Sequence, residues 1–139
     1  MSEQEVIRPL PSNITVRCYQ GSEDLPGIAA AFNESERANG LNSVISAEDL
    51  SQMYQHLVNS DLYKDLVLAE VGEQIVAYGR AQWNDYIDGN RVYSFFIQSR
   101  PEWRGCGIEE RLLDFAIERA QDQSRANPTE NSELLRVFT

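Results

Sequence analysis

The sequence predicts a mixed α/β (α+β) chain, and three features predict it. Two runs of strand-forming residues, Leu66–Val71 and Gln74–Trp83, flank a tight Gly72-Glu73 turn. A third run, Arg91–Ser99, is apolar on both faces and so belongs in the middle of a sheet. After it come a loop, an amphipathic helix and a last apolar run. That order makes the two flanking strands parallel.

Taken in order, residues 1–13 are polar, contain Pro9 and Pro11, and read as a flexible arm. Ile14–Tyr19 alternates as a first strand. Ser22 or Asp24 is placed to cap a helix starting near Pro26, a residue tolerated in a first turn. Leu25, Ile28, Ala29 and Phe32 give its apolar stripe, and Gly40 lies past its end. A second helix starts at Ser46, which with Asp49 three residues on resembles a capping box, although Glu or Gln is the usual partner. Leu50, Met53, Tyr54 and Leu57 are its apolar face. His56 lies beside that stripe and reads as a surface residue. Asp85, Asp88, Gly89 and Asn90 mark the turn before the central strand. Ile108, Leu112, Leu113, Ala116, Ile117 and Ala120 define the later helix, which Asn127 and Pro128 break. Leu134–Phe138 is expected to be a last, buried strand.

At 139 residues, with 42% hydrophobic and 24% charged residues, the chain has the size and composition of one globular domain. Its net charge of −10 excludes the clustered cations that duplex nucleic acid requires and disfavours an anionic membrane surface. No apolar run approaches the roughly 20 residues of a membrane span. The start, MSEQEVIRPLPSN, lacks the pattern of a secretory signal. The two cysteines, Cys18 and Cys106, give no disulfide framework, so a reduced, cytoplasmic protein is expected. No metal site is expected.

The chemistry concentrates in Pro101-Glu102-Trp103-Arg104-Gly105-Cys106-Gly107-Ile108, between the central strand and its helix. Gly105 and Gly107 permit positive φ and a close ligand approach. The helix that follows aims free N–H groups and its positive dipole end at the loop, and Arg104, with Arg100 nearby, adds charge. Such a combination suits a phosphate or pyrophosphate. It is no Walker loop, because no Lys-Ser/Thr pair follows. Nor is it a dinucleotide fingerprint, because Glu110 occupies the third glycine position. Read without a ligand, the same loop is an ordinary turn, and Glu109 and Glu110 would simply complement the helix dipole.

This loop resembles the acetyl-CoA pyrophosphate loop of the GNAT N-acetyltransferase superfamily, whose pattern (Q/R)-x-x-G-x-(G/A) falls here on Arg104, Gly107 and Glu109. The order of elements from Ile14 to Phe138 resembles the GNAT plan throughout. The resemblance implies a mixed, mostly antiparallel sheet with a parallel βαβ unit at the cofactor groove. It implies an acetyl-CoA-dependent transfer of an acetyl group to an amine. Backbone groups of Ile97 and Ser99 would pair with pantetheine, with the Ile97 N–H polarising the thioester carbonyl. The segment Arg104, Gly105, Cys106, Gly107, Ile108 would hold the pyrophosphate, with Glu109 beside it.

Two departures follow. Glu109 stands where the family has Gly or Ala, and a carboxylate about 6 Å from a phosphate charge costs roughly 1–3 kcal/mol at effective dielectrics of about 20–60. The family's usual acid, a tyrosine on the helix after the fifth strand, has no counterpart up to Thr139. Tyr93 and Asp85 are the candidate substitutes. The family fold continues with a helix and two more strands. Residues 14–139 are therefore expected to be a GNAT domain truncated after its fifth strand, a fragment or N-terminal half of a longer or tandem protein. A homodimer partner or a following domain would then cover that strand's edge. A second reading is a degenerate, non-catalytic GNAT module that senses acyl-CoA or supports an active domain.

Overall fold

The computed structural model describes residues 10–139, so the expected arm at 1–13 lies mostly outside the described residues. Alternating and apolar runs form five strands: β1 (Ile14–Cys18), β2 (Leu66–Val71), β3 (Gln74–Asp85), β4 (Asn90–Ser99) and β5 (Ser132–Phe138). They make one sheet in the order β1-β2-β3-β4-β5. All neighbours are antiparallel except β4 and β5, which run parallel as the crossover predicts. Helices α1 (Leu25–Ala38), α2 (Ala47–Tyr54), α3 (Leu62–Asp65) and α4 (Ile108–Ala126) complete the chain. None of the helices among the described residues is long and apolar enough to cross a membrane.

Two cores form, one on each side of the sheet. On one, Ile28, Ala31 and Leu50 from α1 and α2 pack on Leu66, Leu68 and Tyr78. On the other, Ile108, Leu112 and Ala116 from α4 pack on Val67, Ala77, Ala81, Phe95 and Ile97. A register shift at Ala69/Glu70 allows Val76 and Ala77 to face this second core together. The close fit shows at Gly79, where an added Cβ would lie 2.2 Å from Phe95 Cζ. Glycine there lets the fully buried Phe95 ring press against β3.

Local chemistry explains the boundaries. The Ser46–Asp49 capping box forms with both bonds in place. The first helix departs from expectation. Ser22–Asp24 form a 3-10 turn, and neither Ser22 nor Asp24 caps with its side chain. Asp24 instead accepts two bonds from Arg17, which also pairs with Glu70, and one from the Gln20 N–H. That guanidinium holds the Asp24 carboxyl below the usual carboxylate range. His56 is exposed, and both cysteines are free.

The expectation of a buried last strand is not met. Leu134, Leu135, Val137 and Phe138 are 38–47% exposed. β5 has a sheet neighbour on one side only, and α4 directs most of its apolar stripe at the inner strands. An apolar run marks a strand but does not say how many neighbours it has.

Candidate active site

The site is built where β4 ends. Arg100 leads into a 3-10 turn, Pro101–Trp103, closed by the Trp103 N–H on the Arg100 carbonyl at 2.9 Å. Cys106 is buried, and its thiol donates to the Trp103 carbonyl at 3.0 Å. Ile108 is fully buried in the α4 core. These two side chains anchor the loop from within. Between them the chain turns through Gly105 at φ +77° and Gly107 at φ +97°, the left-handed region that favours glycine. The first turn of α4 then presents N–H groups with no partner inside the helix. The Arg111 N–H is the first to find one, on the Gly107 carbonyl at 3.2 Å.

A cavity of about 320 Å3 opens in front of this turn, lined by Ser35, Asn39, Ile97, Ser99, Arg104, Glu109 and Thr139. The fold thus brings Ile97, Ser99, Arg104 and Glu109 to one groove from β4, the loop and α4. Gly105, Cys106, Gly107 and Ile108 are not among its lining residues; they connect Arg104 to Glu109 along the chain. The pairing of β4 with β5 extends to Phe96 and Phe138, so Ile97 and Ser99 lie beyond the ladder.

Arg104 turns toward α1, donating to Ser35 Oγ at 3.0 Å and to Asn39 Oδ1 at 3.3 Å. Ser35 in turn donates to Gln98 Oε1 at 2.5 Å. Glu109 Oε2 is buried and has no hydrogen-bond partner among the described residues. Arg100 does not add its charge to the loop. Its Nε donates to the Ile75 carbonyl and its Nη1 pairs with Glu34 at 2.9 Å. Sequence reasoning missed Ser35 and Asn39. Ser35 carries a signal nonetheless, a buried polar residue continuing the apolar stripe of Ile28 and Phe32.

Tyr93 and Asp85 are not brought to this groove. Tyr93 lies four residues before Ile97 on β4, about 13 Å along the strand. Its hydroxyl donates to Glu133 Oε1 at 2.8 Å, and burial pushes its pKa up. It lines a different cavity of about 370 Å3 between α4 and β5, with Ile117 and Leu135. Asp85 accepts from Arg91 Nε at 2.7 Å and Nη2 at 3.0 Å, bonds that hold its pKa low. Its position on β3 pairs with Arg91, further still from Ile97.

The profile of the Acetyltransferase (GNAT) family matches residues 29–131, which include β2, β3, β4 and every residue lining the groove except Thr139. The chain belongs to the GNAT acetyltransferase family. Solved structures agree in fold. A GCN5-related N-acetyltransferase from Sphaerobacter thermophilus is 25% identical with a TM-score of 0.72, over 86% of this chain and 36% of its own. This chain therefore spans about a third of that GNAT protein's length. A transcriptional regulator from Bacillus halodurans C-125 is 20% identical with a TM-score of 0.62, over 91% of this chain and 81% of its own. An aminoglycoside acetyltransferase from an uncultured soil metagenomic sample, solved with sisomicin, is 14% identical with a TM-score of 0.63. It aligns over 91% of this GNAT chain and 78% of its own length. No curated protein matches the chain.

Proposed function

We propose that this chain binds acetyl-CoA in the groove at the end of β4 and transfers the acetyl group to an amine. The observation that supports it most is the convergence of Ile97 and Ser99 from β4, Arg104 from the loop and Glu109 from the first turn of α4 on one cavity. Family membership points the same way, whereas the non-catalytic alternative gains no support from the matches. In this reading the N–H groups of residues 105–108 hold the pyrophosphate, as helix N-termini commonly do, while the Arg104 N–H stays on the Pro101 carbonyl. Pantetheine lies along Ile97 and Ser99. The Ile97 N–H donates to the thioester carbonyl oxygen and stabilises the oxyanion that forms when the amine attacks. Collapse of that intermediate breaks the C–S bond, releases the thiolate and leaves an amide. The attacking nitrogen loses its proton to water, since Tyr93 and Asp85 are engaged elsewhere.

The reading is tested by titrating acetyl-CoA into the protein in a calorimeter. Saturable binding with one site is expected, and no heat at any accessible concentration would reject it.

Glu109 modulates this site. Its carboxylate lines the groove with an unsatisfied buried oxygen, close to where phosphate charge would sit. Glu109→Ala is expected to tighten acetyl-CoA binding several-fold, most visibly at low salt where Coulomb repulsion is least screened. Weaker binding in that variant would show that Glu109 contributes to the site rather than opposing it.

A further inference from the structure

Four arginines packed into the fold pair with carboxylates, whereas Arg80, on the sheet face opposite α4, does not, like Arg104 in the groove. Arg17 pairs with Asp24 and Glu70, Arg91 with Asp85, Arg100 with Glu34, and Arg119 with Asp65. Arg80 is half-buried and has no carboxylate partner among the described residues. Its Nη1 donates to Gln82 Oε1 at 2.9 Å and to Ser60 Oγ at 3.3 Å. Its Nε and Nη2 donate to nothing among the described residues. The guanidinium carbon lies 5.6 Å from the centroid of the Phe96 ring, on which Phe138 stacks at 5.1 Å.

Partial burial disfavours the charged guanidinium, and the Asp65 carboxylate favours it from a distance without a hydrogen bond or ion pair. Burial accordingly lowers the Arg80 pKa from its ordinary value, although the group stays charged. Carboxylates are not scarce in a chain of net charge −10, so a partner at this position was available by composition. The free Nε–Nη2 edge is the side-on fork that receives two oxygens of a carboxylate or phosphate at once. Its location is also informative. Arg80 pairs in register with Phe96, one residue before Ile97, and points to the side of the sheet away from the α4 core.

We propose that Arg80 holds an anionic group of the acceptor, so that the acylated amine belongs to a molecule also carrying a carboxylate or a phosphate monoester. The aromatic pair Phe96–Phe138 orients the guanidinium from one side, leaving the fork for the ligand. The amine's role rests on the acyl-transfer reading; the anion site stands on Arg80 itself.

Matched probes test it by calorimetry on the whole chain: 4-aminobutyrate against n-butylamine, and O-phosphoethanolamine against ethanolamine. At least one probe carrying the acid group is expected to bind roughly tenfold or more tighter than its cationic match without it, the range of a charge-assisted bidentate contact. The better of the two identifies the anion. Arg80→Gln should erase that preference, and Arg80→Lys, which keeps charge without the fork, should retain only part of it. Should Arg80→Gln fail to fold, Arg80→Lys carries the comparison. Acetyl-CoA affinity should be the same in all three proteins. Equal affinity for probes with and without the acid group in the unaltered protein, or a preference that survives in both variants, would overturn the assignment. Lack of acetyl-CoA binding would reject the acyl-transfer reading alone, because the probe comparison needs no acetyl-CoA.

Discussion

Gly107→Val is expected to lower acetyl-CoA affinity at least about 100-fold while the chain stays folded. Gly107 sits at φ +97°. A Cβ there would meet nothing nearer than Leu10 Cδ1 at 3.7 Å, so crowding is not the cause. The cause is the backbone, because a β-branched residue in this conformation costs about 1–3 kcal/mol and drives the loop elsewhere. The N–H groups of the α4 N-terminus then lose their aim. Losing two charge-assisted bonds of about 1.5 kcal/mol each accounts for the stated factor. The loop is a surface turn whose inner anchors, Cys106 and Ile108, are untouched, so circular dichroism should be unchanged. Calorimetry reads the affinity, and full retention of binding would remove the loop from the acyl-CoA site.

Asp65→Ala is expected to destabilise the fold by about 3 kcal/mol, the cost of breaking a buried pair from one side. Asp65 ends α3 and is 2% exposed. Its carboxylate accepts from the Asp61 N–H at 2.7 Å, from Gln123 Nε2 at 3.1 Å, and from Arg119 Nε. It therefore ties a four-residue helix to the far end of α4. Alanine would leave an amide, a backbone N–H and a guanidinium to find water in a place that excludes it. Urea unfolding should show a lower midpoint with an unchanged slope. The double change Asp65→Leu with Arg119→Met should recover part of the loss, since no charge is then stranded. A loss under about 1 kcal/mol in the single variant would mean that the cluster is already solvated.

These two residues differ in how far the sequence announces them. Gly107 was legible because a glycine pair before an amphipathic helix has few physical uses. The hairpin was equally plain, and β2 falls on Leu66–Val71 as the pattern predicts. So was the Ser46–Asp49 cap, whose partners are three residues apart. Asp65 was not legible, because Leu62–Asp65 is too short for any helical period and its partners come from α4. The same holds for Arg104, which meets Ser35 and Asn39 from 69 and 65 residues away, and for Arg100, whose charge is met by Glu34. Arg80 is the inverse case, since nothing in the sequence reveals an arginine that lacks a partner. Local spacing encodes elements and turns; it does not encode which charges the fold will bring together.

The parallel pairing at the sheet's edge bears on how the molecule assembles. β2 and β3 meet across a two-residue turn, whereas Asn90 reaches Ser132 and Phe96 reaches Phe138 only after all of α4 has intervened. The hairpin's loop closes at small entropic cost, and the crossover's does not. Contacts of long sequence separation tend to be late to form. The antiparallel hairpins are thus expected to lead, with β5 docking last beside a β4 already in place. A ligand seated between the end of β4 and the start of α4 reinforces contacts made after the rate-limiting barrier. Its kinetic mark should fall on how slowly the protein comes apart, far more than on how fast it forms.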